Sequence, residues 1–229
     1  MLEITPELQS SFPGLGVLEL RMDGLIVRDL DPALESFKRE VEERARRKMT
    51  SLNEVRTQPI FRAYRDFFWR VGIDPTKIRP AGEALTRRVL GGRDLPRLNT
   101  AVDAYNLASL ETSVAIAAFD AEIVNEGSLL MRRAAKNEPF HGIGMVSADS
   151  LIGIEVVIED QESKELIAVY PYRDSAGSRI TGRTEHVLFM MCGVPGIEAA
   201  ALERAKDLTR DYVGRFCLDS TSARPKAAL

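Results

Sequence analysis

The hydrophobic periodicity of this 229-residue chain changes once, near Ser113, and that change decides its fold class. Upstream, apolar residues recur at three- and four-residue spacing, the mark of amphipathic helices. Downstream, short β-branched and apolar runs replace them. Helices first and strands later indicate an α+β class rather than an alternating α/β one. The expectation is a helical N-terminal half packed on a mostly antiparallel, β-rich C-terminal half.

Local signals place the elements. Leu15–Met22 and the segment from Gly24 to Arg28 are read as an opening strand pair, joined by the turn-prone Asp23-Gly24. Asp31-Pro32 caps a helix running to Met49. A second helix, Thr57 to Gly72, carries Ile60, Phe61, Tyr64, Phe67, Phe68 and Val71 on one broad apolar face. Aromatic residues at that spacing are core, which leaves Arg62, Arg65 and Arg70 on other faces. Helices are expected near Glu83–Leu90 and Asn99–Leu110, and a closing one from Ile197 to Phe216. Strand-like runs cover Val114–Phe119, Gly127–Arg132, Gly153–Asp160, Glu165–Tyr172 and His186–Cys192. Three regions follow: 1–54, the strand pair and helix packed on the main domain; 55–217, the main domain; and 218–229, a tail.

Composition narrows the chemistry. Two cysteines, Cys192 and Cys217, do not make a disulfide framework and fit a reducing, cytoplasmic setting. His141 and His186 stand far apart with no ligand-spaced cysteine nearby, so no metal site is expected. No cofactor motif is present: there is no Gly-rich dinucleotide loop, no Walker-type loop and no nucleophile elbow. Gly142-Ile-Gly144 reads as a turn. No signal peptide and no membrane-length apolar run is seen. Of the carboxylates, Asp103, Asp120, Glu138, Glu155, Asp160 and Asp174 are candidates for a general base, and Asp174 equally opens a turn.

The net charge of −3 hides an asymmetry. Between Lys38 and Arg97 stand 16 Lys and Arg against 8 Asp and Glu. A basic stretch on an acidic protein suits a phosphate-bearing partner. Taken alone, solvated helix faces explain it as well.

One stretch is more specific. Arg97, Asn99, Val102-Asp103, Asn106, Leu110-Glu111 and Ala118-Phe119-Asp120 occur in an order that resembles the editing and tRNA-binding segment of the phenylalanyl-tRNA synthetase beta subunit. Arg132-Arg133-Ala134, Glu138, Thr184 and Val187-Leu188-Phe189 extend the match. Upstream, the Tyr64–Trp69, Gly72–Lys77, Arg79-Pro80 and Glu83–Arg88 segments are similar to free-standing proteins built from that domain, the B-three/four domain. The resemblance runs from about residue 55 to 200. It implies a pocket between two sub-layers that hydrolyses the ester joining a wrong amino acid to a tRNA 3′ end. The expected activity is therefore that of a trans-acting aminoacyl-tRNA deacylase, without a synthetase core to charge tRNA and with the aminoacylated 3′ end as partner. Such an ester is already activated, so positioning a water and stabilising an oxyanion suffice.

Residue roles follow from the resemblance. Asn99, Asp103 and Asn106 share one helical face and are expected to line the pocket, or else to fix the helix by hydrogen bonds. Glu111 recognises an α-ammonium group or acts as a cap. His141 and Glu138 are the candidates for handling water. Arg62, Arg65, Arg79, Arg87 and Arg88 are candidates for phosphate contact. Ala117 stands where the synthetase has a histidine, and Met190 where it has a glutamate that reads a phenol hydroxyl. Met supplies only apolar shape, so an apolar or differently polar amino acid is expected in place of tyrosine. Two other readings stay open: a non-catalytic tRNA- or RNA-binding module, and an amino-acid-binding protein.

Overall fold

In the computed structural model, which describes residues 2–219, the chain forms three layers. The elements run β1 (Glu3–Ile4), α1 (Pro6–Ser11), β2 (Gly16–Met22), α2 (Pro32–Lys48), α3 (Leu52–Thr57), α4 (Pro59–Arg70), α5 (Ala81–Leu90) and α6 (Thr100–Thr112). Then follow β3 (Ile116–Asp120), β4 (Leu129–Arg133), β5 (Pro139–Phe140), β6 (Asp149–Ser150), β7 (Val156–Asp160), β8 (Glu165–Val169), β9 (Arg173–Asp174), β10 (Val187–Gly193) and α7 (Ala199–Cys217). One sheet has the order β2-β10-β3 and a second β1-β4-β7-β8-β9; β5 and β6 form a separate pair. Among the described strands, only β1 and β4 pair in parallel. The class is α+β, as the change of periodicity indicates.

Strand β10 shows how the layers meet. Leu188, Met190 and Cys192 enter the core between the two sheets, while Val187, Phe189 and Met191 enter the core beneath α2, α6 and α7. All six are buried. Alternation normally puts one face of a strand in water. Here both faces are covered, which is why His186–Cys192 reads as a continuous apolar run.

The helix signals act as expected. The Asp31 carboxylate accepts from the Ala33 and Leu34 N–H groups at 2.8 and 3.1 Å, with Pro32 at the first position of α2. The expected Thr57–Gly72 helix is shorter at its start. Pro59 opens α4, and the residue before a proline is pushed out of the α region, so Gln58 divides α3 from α4. Gly72 ends the run at φ +77°.

The opening strand pair is corrected. Leu15–Met22 is largely strand, but it pairs along Gly16–Met22 with β10, not with the segment that follows. The Leu25 N–H donates to the Glu185 carbonyl and the Ile26 N–H to the Cys217 carbonyl, so residues 24–28 are tied elsewhere. Residues 1–54 supply an edge strand to each sheet through β1 and β2. The expected tail lies outside the described residues from 220 onward.

Candidate functional site

Tyr64 fastens α4 to one sheet, and Tyr170 ties the two sheets together. The Tyr64 hydroxyl, on α4, accepts from the Ala115 N–H at 2.9 Å and donates to the Cys192 carbonyl at 2.5 Å. The Tyr170 hydroxyl lies 2.8 and 2.9 Å from the Gly16 and Gly193 carbonyls. Beside these anchors, β3 and β10 of one sheet diverge from β7, β8 and β9 of the other and leave a cavity of about 160 Å³. Its walls include Ala115, Ile116, Ala117 and Cys192 on one side and Ile158, Ala168, Val169 and the 170–174 segment on the other. Tyr105 and Asn106 of α6, with Ala81 of α5, close the third side.

Two polar side chains give the cavity its chemistry. Asp174, on the short strand β9, accepts one hydrogen bond, from the Ala118 N–H at 3.3 Å, and forms no ion pair among the described residues. Burial pushes its carboxyl up to about 7, against that single stabilising bond. Asn106 is half-buried, and its carboxamide has no partner within the described residues. Both side chains are half-buried at the cavity, so their polar ends are open to whatever fills it.

The Cys192 thiol is pushed up by burial, which keeps it protonated and a poor nucleophile. The Arg173 guanidinium stacks over the Tyr172 ring, 4.8 Å from its centroid, and donates to the Tyr172 hydroxyl at 2.7 Å and the Ile143 carbonyl at 2.5 Å. Its Nε is buried without a partner. Gly142 makes room for this side chain, since a Cβ there would stand 2.2 Å from Arg173 Cδ.

A groove of about 450 Å³ adjoins the cavity, and Ala81 and Asn106 line both. Arg79, Arg87, Arg88 and Arg93 line the groove and no carboxylate does. Arg87 is held by Glu83, at 2.6 Å, and the Arg88 Nε donates to the Asp94 carbonyl. Arg79 and Arg93 make no ion pair among the described residues. No side chain caps α5, whose first turn stands where groove and cavity meet.

The other expected site residues are spread out. Asn99 caps α6, its Oδ1 accepting from the Val102 N–H at 2.9 Å. Asp103 is buried against Lys38, 2.9 Å away. Glu111 accepts from the Tyr212 hydroxyl and from Arg44. Ala117 lines the cavity, and its register partner Met190, on the same face of the sheet, is fully buried and is not part of the lining. Glu138 is gripped by Arg132 through both oxygens, at 3.0 and 2.6 Å, which lowers its carboxyl below the ordinary range. His141 lines a separate cleft with Glu165 and Ser175 and bonds the Met145 carbonyl at 3.0 Å. Arg65 is locked on buried Glu83, and Arg62 lies exposed on α4 outside the groove. The structure thus brings together Asn106 and Ala117 in the cavity and Arg79, Arg87 and Arg88 in the groove. It adds Tyr105, Arg93 and Arg173, and of the six candidate carboxylates it places Asp174 on the cavity. Among the described residues no three His, Cys, Asp or Glu side chains stand together as a metal site requires.

Comparison with known proteins agrees with this architecture. Residues 63–229 match the B3/4 domain. The chain belongs to the B3/4 domain family. A solved structure similar to this B3/4 chain is an N-terminal fragment of the phenylalanyl-tRNA synthetase beta-subunit from Pyrococcus horikoshii, with a TM-score of 0.52 at 12% identity. The alignment covers 94% of this chain and 48% of that fragment, so the B3/4 chain spans about half the length of its structural relative. At that identity the likeness is one of fold. No curated protein sequence matches. No helix among the described residues is long and apolar enough to cross a membrane.

Proposed function

We propose that this B3/4 chain is a trans-acting aminoacyl-tRNA deacylase, with the aminoacyl group in the inter-sheet cavity and the 3′-terminal nucleotides on the arginine groove. The observation that carries this reading is the shared wall. A cavity with an unpaired carboxylate and a free carboxamide adjoins a groove lined by four arginines, and Asn106 belongs to both. An ester between a carboxylic acid and a polyanion needs those two environments side by side. In the reaction, Asp174 takes a proton from water and the oxygen attacks the ester carbonyl. The Asn106 carboxamide donates to the developing oxyanion. The bond to the ribose oxygen then breaks and that oxygen takes the proton, releasing the amino acid and the tRNA. A carboxyl near 7 suits a base at neutral pH. Membership of the B3/4 family and the fold shared with a synthetase beta-subunit fragment support the choice of tRNA.

The test is a deacylation screen across all aminoacyl-tRNAs, with Asn106→Ala as a control that leaves the core intact. Release of an amino acid from at least one tRNA, slowed about 10²–10³-fold by that substitution, is expected. Salt-sensitive tRNA binding with no release from any tRNA would reduce the protein to an RNA-binding module. The groove has its own test. Replacing Arg79 and Arg93 together by alanine should lower the slope of log affinity for tRNA against log salt by about 2. Unchanged affinity and slope would remove the groove from the reading.

A further inference from the structure

The cavity is narrow, and the alanines that build it are flanked by fully buried residues. Its volume of about 160 Å³ is close to that of an engineered cavity known to take one benzene molecule, about 150 Å³. Ala117 projects into it from β3 and Ala168 from β8, so the two sheets each contribute a methyl group. Neither wall can retreat cheaply. Met190, beside Ala117 on the same face of its sheet, is fully buried, as is Ile158, which stands beside Ala168 and lines the cavity with it. Tyr64 holds Ala115 and Cys192 at fixed positions on the first wall. Close-packed interiors transmit such constraints rather than absorb them. With the α-carbon and amino group also inside, the remaining room fits a side chain of two or three heavy atoms and not an aromatic ring. The Asp174 carboxylate in the same space disfavours an acidic side chain.

We propose that the cavity selects a small, uncharged amino acid, of the alanine, serine, threonine or valine class, and that Ala117 and Ala168 set the size limit. The inference rests on the aminoacyl-ester reading above and narrows its substrate. Each methylene beyond the limit is expected to cost about 10–200-fold in discrimination.

The decisive measurement is binding of non-hydrolysable 3′-aminoacylamino-3′-deoxyadenosines to the full chain by calorimetry. The alanyl, seryl, threonyl, valyl, phenylalanyl and tyrosyl compounds make the series. The small members are expected to bind at least about 100-fold more tightly than the aromatic ones. Ala117→Leu and Ala168→Leu, each checked for an unchanged circular dichroism spectrum, should lose the small ligands as well. Aromatic compounds that bind as well as seryl or valyl ones would overturn the inference, as would the absence of any binding. The wild-type series decides the matter even if both variants fail to fold. The deacylation screen separates the two proposals. Cleavage of tRNA carrying phenylalanine or tyrosine in preference to small amino acids overturns the size limit and leaves hydrolysis standing. Size-ordered binding without cleavage of any tRNA overturns hydrolysis and leaves the size limit standing.

Discussion

Replacing Asp174 with asparagine is expected to abolish turnover and, above neutral pH, to strengthen the fold. Both effects come from one cause. The carboxyl sits on the cavity with a single hydrogen bond and no ion pair among the described residues, and burial raises it from 3.8 to about 7. A folded-state value above the unfolded one means that the native protein holds a proton the unfolded chain has already released. Between about pH 4 and pH 7 stability therefore falls as pH rises, and the whole cost is present above 7. The shift sets a ceiling of about 4 kcal/mol. Asp174 is half-buried, so solvent relieves part of it, and a gain of about 1–2 kcal/mol is expected for Asp174→Asn at pH 8. At pH 4 the two proteins should be equally stable. Denaturant melts at both pH values measure this. A variant no more stable than wild type at pH 8 would show that the carboxylate has a compensating partner. In turnover, wild-type kcat/KM should rise with pH through a midpoint near 7. The variant should lose about 10²–10⁴-fold and the pH dependence with it. Stability gained where activity is lost is the mark of a group retained for chemistry.

Much of the scaffold was legible because its determinants are local. Asp31-Pro32 announces α2, the periodic run from Asn99 announces α6, and Gly72 closes α4. The pairing of β2 was not legible. A seven-residue strand says nothing about which partner it meets, and its mate β10 lies at the far end of the chain. The site divides in the same way. Asn106 and Ala117 could be found because they belong to an ordered motif. Asp174 stands in plain view among six carboxylates, but what distinguishes it is the missing cation beside it. A lack of neighbours is a property of three-dimensional packing, and no spacing rule encodes it. Arg65 and Arg79 make the same point from the other side. They look alike in sequence, yet buried Glu83 captures the first and leaves the second on the groove.

Asp103 is the sharpest case, because it shares a helical face with Asn106 and is expected to behave in the opposite manner. Its carboxylate lies 2.9 Å from the Lys38 ammonium of α2, and both side chains are almost wholly buried. Lys38 also donates to the Pro96 carbonyl at 3.1 Å, and the Leu98 N–H donates to Asp103 Oδ1 at 3.1 Å. The pair thus fastens the 94–99 segment and the start of α6 to α2. Lys38 also pairs with Glu35 at 3.0 Å, so Asp103→Ala leaves the ammonium one carboxylate and the Leu98 N–H without its acceptor, and should cost about 1–3 kcal/mol. Replacing both, as Lys38→Met with Asp103→Leu, removes the buried ammonium as well and should recover part of that loss. Asn106→Ala, three residues away, should leave the melting temperature within about 2 °C of wild type, since it breaks no internal bond. A double-mutant cycle by thermal melting measures the coupling. If Asp103 instead contacted substrate, its alanine variant would melt like wild type and fail in ligand binding. One face of α6 would then serve the cavity throughout. The expected result is that this face is divided, with Asp103 holding the helix in place and Asn106 using the position so fixed.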